Sequence, residues 1–287
     1  MSDERLLRVN GADLCVQTFG DASDPAILLV MGAAASMEHW PEGFCRRLAD
    51  GGRYVIRYDH RDTGRSTRYP PGKPAYTFAD LVADAAGVLD ALGIERAHVA
   101  GVSMGGAVAQ TLAIERPERL ASLTLMSTSA IESTGRELPS MSAELRATFD
   151  TPPPDPDWTD RAAVVDHLVE GELPYLGPVR TDDQELRERA ERIFDRTGDL
   201  AAAQNHWILG DDDDPVRGRL ADVTAPTLVL HGTADPLFPY EHGEALADSI
   251  PGAQLVALDG VGHEAPPAAV WDVVVPAILR HTGAGSE

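Results

Sequence analysis

Ala26-Ile-Leu-Leu-Val-Met31 is an unbroken apolar run closed by Gly32. A strand with no polar face is buried on both sides, as in a parallel sheet covered by helices. Further strands are read at Tyr54–Tyr58, Ala97–Ala100, Leu120–Met126, Thr227–Leu230 and Gln254–Leu258. Helical stretches lie between them: Phe44–Ala49, Phe78–Leu92, Ala107–Glu115, Glu241–Ile250 and Val270–His281. In the second, Phe78, Leu81, Val82, Ala85, Val88, Leu89 and Leu92 fall at helical spacing before Gly93. Ahead of the first run, Leu6–Asn10 and Asp13–Gly20 flank Asn10-Gly11, a two-residue hairpin signal. Strand and helix in alternation predict a mostly parallel, eight-stranded α/β sheet flanked by helices.

The alternation stops after the sixth strand. From Ile131 to Pro215 no buried strand is legible. A Pro/Asp stretch at Thr151–Asp157 is followed by helical segments near Arg161–Glu170, Asp183–Arg196 and Leu200–Leu209. Because the chain then returns to the same sheet, this insertion is expected to form a helical cap. The expected division is a core of residues 1–130 and 215–287 and a cap of residues 131–214. The acidic run Asp211–Asp214 reads as a solvated loop, since the spaced ligands of a calcium loop are absent.

The 287 residues carry 24 Lys+Arg against 46 Asp+Glu, a formal net charge of −22. Such a surface repels phosphate backbones, so neither nucleic acid nor an anionic membrane is an expected partner. Cys15 and Cys45 are too few for a disulfide scaffold or a thiolate zinc centre. The opening Met1-Ser2-Asp3-Glu4-Arg5 is charged where a signal peptide is apolar. The longest apolar run, Ala26–Ala35, is roughly half a membrane span. A cytoplasmic protein, monomer or homodimer, is the expectation.

Gly101-Val-Ser-Met-Gly-Gly106 holds a G-x-S-x-G motif between a short apolar strand and a helix with small residues. A sharp strand-to-helix turn lifts its serine above the sheet edge, and the helix N-terminus favours developing negative charge. Ser103 is thus the candidate nucleophile. A serine hydroxyl needs a base and a group to orient that base. His231-Gly-Thr-Ala-Asp235 and Asp259-Gly-Val-Gly-His263 follow two later strands, which makes Asp235 the candidate acid and His263 the candidate base. Asp259 is the alternative acid. The other histidines, His206 among them, lack that placement. The oxyanion donors are expected to be the backbone N–H groups of Met104 and Ala33. Small side chains from Gly32 onward leave room for substrate.

These segments resemble the α/β-hydrolase family. Gly101–Gly106, His231–Pro236 and Gly260–His263 look like its nucleophile, acid and histidine motifs, and Tyr58–Ser66 like its structural loop. The dehalogenases and epoxide hydrolases of the fold carry Asp where this chain has Ser103. Val30-Met31-Gly32, Trp40-Pro41 and Asp59–Ser66 are similar to the aclacinomycin-methylesterase branch, which demethylates an ester of an aromatic polyketide glycoside. The resemblance implies a carboxylic ester hydrolase working through an acyl-enzyme on a small-molecule ester, with no cofactor and no metal. Lactonases, carbon–carbon bond hydrolases and cofactor-free perhydrolases share the triad. Ligand-binding and non-hydrolytic biosynthetic proteins share the fold. Gly32, Trp40 and Trp207 are the candidate substrate contacts. Phe149, Trp158, Tyr175 and Phe194 are further cap aromatics able to stack on a flat substrate.

Overall fold

The computed structural model describes residues 4–209 and 218–283. Asn10 and Gly11 take φ of 43° and 76°. This left-handed turn matches the twist of the hairpin it closes, β1 (Arg5–Val9) and β2 (Ala12–Phe19). The remaining strands are β3 (Ala26–Val30), β4 (Tyr54–Tyr58), β5 (Ala97–Val102), β6 (Leu120–Met126), β7 (Thr227–Gly232) and β8 (Gln254–Leu258). They form one eight-stranded sheet in the order β1-β2-β4-β3-β5-β6-β7-β8. The hairpin pairs antiparallel to β4, and all later pairings are parallel. Every side chain of β3 and of β4 is buried; β3 is apolar throughout, and in β4 the buried Arg57 is satisfied by Gln17, its Nε donating to Gln17 Oε1 at 2.8 Å.

Helices cover both faces. On one side α2 (Phe78–Ala91) and α3 (Met104–Glu115) pack Leu81, Val88, Val108 and Leu112 against Leu28, Ile56 and Val99. On the other, α1 (Glu42–Asp50) and the C-terminal helix (Trp271–Gly283) bury Phe44, Leu48, Val274 and Ile278 against Ile27, Leu29 and Leu230.

Between β6 and β7 the described residues hold helices and one isolated bridge, Val179 to Val261. Two of the helices fall where their periodicity placed them, α5 (Arg161–Glu172) and α6 (Asp183–Arg196). Another, α4 (Ala143–Asp150), went unread; the Ser142 side chain caps it by accepting from Leu145 N at 3.1 Å. Residues Ala201–Ile208 form a 3₁₀ helix. The acidic run Asp211–Asp214 and the expected boundary at 214/215 lie outside the described residues. Among the described residues no helix is long and apolar enough to cross a membrane.

The sheet's carboxyl edge is where backbone strain collects. Ala34, Asp62, Ser103 and Ser127 follow β3, β4, β5 and β6, and all have positive φ, from 42° to 66°. Non-glycine residues rarely adopt this region, and such outliers cluster at functional sites. Behind this edge His60 is fully buried, with Nε2 donating to Met31 O at 2.9 Å. Burial pushes its pKa from 6.5 down to about 3, so the folded protein keeps the ring neutral where the unfolded chain binds a proton. Its contribution to stability is complete above pH 6.5 and is lost as pH falls from there toward 3. The His60→Gln variant is expected to lose stability on acidification less steeply, by about 1.4 kcal/mol per pH unit below pH 6. Denaturant unfolding at pH 7, 6 and 5 measures this, and identical slopes would contradict it.

Candidate active site

β5 runs straight into α3, and the residue at the corner is Ser103, with φ 52° and ψ −120°. The flanking glycines are sterically required. A Cβ on Gly101 would sit 2.1 Å from Gly105 O, and one on Gly105 would sit 2.2 Å from Val30 O. The turn thereby presents Ser103 Oγ above the sheet.

His263, beyond the end of β8, meets it. Ser103 Oγ donates to His263 Nε2 at 3.0 Å, and His263 Nδ1 donates to Asp235 Oδ2 at 2.9 Å. Asp235, beyond β7, is held by its other oxygen, which accepts from Leu237 N at 2.9 Å and Phe238 N at 2.8 Å. Its side chain is fully buried, so the imidazole is oriented by a carboxylate shielded from water. Asp259 instead accepts from Thr233 Oγ1 at 3.2 Å. His231 is buried behind the acid, with Nε2 donating to Phe238 O at 2.7 Å; burial lowers its pKa.

The residues of the two expected oxyanion donors, Ala33 and Met104, line the same cavity as Ser103. Among the described residues neither the Ala33 N–H nor the Met104 N–H has an acceptor. The latter is also the first amide of α3, where the helix dipole adds positive potential. A Cβ on Gly32 would lie 3.3 Å from Ser103 Cβ, so the glycine keeps this loop tight against the serine.

Ser103, His263, Ala33 and Met104 open onto a cavity of about 960 Å³ between the sheet edge and the helices that follow β6. Gly32 and Trp207 line it as expected, with Phe149, Trp158 and Tyr175; Phe194 is not in its wall. Ring contacts connect Trp207 to Phe149 (6.3 Å), Phe149 to Tyr175 (6.5 Å) and Tyr175 to His263 (6.0 Å). These rings form an aromatic row that ends at the base. Phe149 and Trp207 are exposed, so the row reaches the cavity mouth.

Trp40 corrects the sequence reading. It is fully buried and stacks on Phe44 at 5.8 Å, within the core below the cavity. The short helical turn Met37–His39, capped by Ser36, turns the chain inward before Trp40 is reached. Nearness in sequence to the oxyanion loop was the wrong guide.

Three features were not read from the sequence. Phe238 packs its ring edge on His263 at 5.5 Å. One cavity wall is polar: His39 Nε2 lies 3.4 Å from Glu172 Oε1, Glu172 Oε2 pairs with Arg189, and Thr181 Oγ1 donates to Glu264 Oε2 at 2.7 Å. Burial raises the Glu264 pKa; at Glu172 burial is outweighed by hydrogen bonding from His39 and the charge of Arg189. His206, set aside as unplaced, lies in the cavity wall and bonds to the oxyanion loop. Among the described residues no group of three or more His, Cys, Asp or Glu side chains is arranged to hold a metal ion.

The geometry is that of a serine, a histidine and an acid set at three strand ends of one sheet, with the serine and histidine facing a mostly apolar cavity. The profile of the alpha/beta hydrolase fold family matches residues 25–267, and the chain belongs to that family. Over 98% of its length it is 34% identical to the rhodomycin D methylesterase DauP of Streptomyces sp. strain C5, covering 99% of that protein. The rhodomycin D methylesterase DnrP of Streptomyces peucetius is 33% identical with the same coverage. Among solved structures, a hydrolase from Pseudomonas aeruginosa PA01 superimposes with a TM-score of 0.71 at 28% identity, covering 98% of both chains.

Proposed function

We propose that this protein is a serine esterase that cleaves the methyl ester of a bulky, flat, polyketide-type carboxylic acid. The observation that carries the reading is the hydrogen-bonded Ser103–His263–Asp235 chain at the floor of an aromatic-lined cavity of about 960 Å³. Such a cavity accommodates a drug-sized ligand, far more than an acetyl group needs. Two full-length relatives named as methylesterases of rhodomycin D support the same substrate class.

In this reading Ser103 Oγ attacks the ester carbonyl while His263 Nε2 takes its proton. The Ala33 and Met104 N–H groups stabilise the oxyanion, and His263 then gives the proton to the departing methoxide, which leaves as methanol. Water activated by His263 cleaves the acyl-enzyme and frees the acid. Asp235 holds the ring in the tautomer that leaves Nε2 free to accept. The catalytic groups and oxyanion donors all belong to one chain, so the reaction needs neither a cofactor nor a second copy. A monomer or a homodimer fits equally well.

The test is hydrolysis of a panel of aromatic methyl esters, lactones and β-diketones in H₂¹⁸O, read by mass spectrometry. Methanol release with one ¹⁸O entering the product carboxylate is expected. Cleavage of the β-diketones with no methyl ester turned over would favour a carbon–carbon hydrolase and overturn the proposal.

Trp207 supplies the aromatic surface at the mouth. The Trp207→Ala variant is expected to raise KM for a polycyclic aromatic methyl ester about 5- to 30-fold, the loss of one stacking partner. It is expected to leave p-nitrophenyl acetate hydrolysis within about twofold, because an acetyl ester does not extend to the mouth. Equal loss on both substrates with a lowered melting temperature would make Trp207 part of the cap's own packing.

A further inference from the structure

The loop after β3 has two adjacent backbone N–H groups with different fates. Ala33 N–H has no acceptor among the described residues, whereas Ala34 N–H donates to His206 Nδ1 at 2.8 Å. The acceptor belongs to the 3₁₀ helix 201–208 and is 172 positions away in the chain, in the segment inserted between β6 and β7. Because Nδ1 accepts, the ring's proton is on Nε2, which donates to Arg61 O at 2.8 Å, in the loop after β4. One imidazole thus bridges the loops at the ends of two neighbouring strands.

Its surroundings hold it in that role. The ring is 6% exposed and packs edge-on against His60 at 5.9 Å and Tyr76 at 6.4 Å. Burial lowers its pKa and keeps Nδ1 an acceptor. The preceding residue secures the turn. Asn205 Nδ2 donates to Asp62 Oδ2 at 2.9 Å, and its Oδ1 accepts from Gly72 N at 2.7 Å.

Ala34 itself has φ 58°, a conformation that L side chains disfavour and that needs an outside partner to persist. The hydrogen bond to His206 fixes the plane of the Ala33–Ala34 peptide; the Ala33 N–H lies in the preceding peptide plane, joined to this one at the Ala33 Cα, so anchoring the one limits how far the other can turn. We propose that His206 is a positioning residue that holds the oxyanion loop in its working shape, so that the oxyanion hole is complete only when the 201–208 segment is seated on the core. The inference rests on the esterase reading above. His206 touches no reacting atom; it acts through the backbone of Ala33.

Three variants divide the ring's two bonds. His206→Asn keeps an acceptor near the Nδ1 position and loses the bond to Arg61 O. His206→Gln keeps a polar group near Nε2 and loses the bond to Ala34 N–H. His206→Leu loses both. Each is compared with wild type for kcat and KM on p-nitrophenyl acetate and for melting temperature. The Asn variant is expected to keep kcat within about threefold. The Gln and Leu variants are expected to lower kcat about 30- to 300-fold with KM within about threefold, as when an oxyanion donor is misdirected. If kcat follows melting temperature alike in Asn and Gln, the role is structural and the proposal falls. If only the Gln variant accumulates as folded protein, wild-type kcat in it overturns the proposal. Labelling of wild-type Ser103 by a fluorophosphonate reports on the triad separately. A labelled, active wild type whose variants show no such split defeats this inference and leaves the esterase reading standing; an unlabelled wild type defeats the esterase reading itself.

Discussion

Replacing Ser103 by alanine is expected to lower kcat on p-nitrophenyl acetate by about 10⁵-fold or more while leaving the protein folded. In an acyl-transfer triad the three groups act as one unit, so removing the nucleophile forfeits nearly all of their joint contribution. The structure adds a reason why the fold is indifferent to the change. Among the described residues Ser103 Oγ makes one hydrogen bond, to His263 Nε2, and the positive-φ turn is held by glycines and backbone. Gly106 N and Ala107 N both donate to Ser103 O, and these bonds do not involve the side chain. Binding of a polycyclic ester, measured by titration with the variant, is expected to persist because the aromatic row is untouched. A variant that keeps turnover within about tenfold of wild type would remove Ser103 from the chemistry.

The Asp235→Asn change is expected to cost about 10⁴-fold in kcat, again with the fold intact. Asp235 Oδ1 accepts from two backbone amides, Leu237 N and Phe238 N, while Oδ2 accepts from His263 Nδ1. An asparagine retains one oxygen, and the two amides claim it. Its NH₂ is then turned toward His263, where it donates to Nδ1 and forces the ring's proton onto Nε2. In that tautomer the ring has no lone pair for the Ser103 proton. The same amide bonds that preserve the loop thus enforce the inactive arrangement. Steady-state kinetics with a melting curve check both halves: a large loss of kcat and little change in melting temperature. A mild kinetic effect would mean that His263 is oriented by something other than Asp235.

Both results depend on side chains whose convergence was legible before any coordinates. Each triad member sits just past the end of a strand, and strands reveal themselves through short-range pattern. The apolar run Ala26–Met31, the Asn10-Gly11 turn and the periodicity of Phe78–Leu92 are local features, decided by burial and backbone preference within a few residues. Parallel strands all present their carboxyl ends on one edge, so Ser103, Asp235 and His263 could be placed together from order alone. The same reasoning failed at Trp40, because a residue close in sequence to the loop was turned into the core by a single helical turn. It failed at α4, whose short amphipathic stretch buries Leu145 and little else.

From its sequence alone this chain determined a helix-covered parallel sheet, the interruption after the sixth strand and the identity of three converging side chains, because periodicity and strand-end position are local or topological properties. Tertiary structure decided how the 131–209 segment meets the sheet: the aromatic row from Trp207 to His263, the polar wall of Glu172 and Arg189, and the bond from Ala34 N–H to His206. Those contacts join residues far apart in the chain, and no local pattern encodes which imidazole, among 9 histidines, ends beside an oxyanion loop. That choice is made by packing two surfaces together, and it appears only once both have folded.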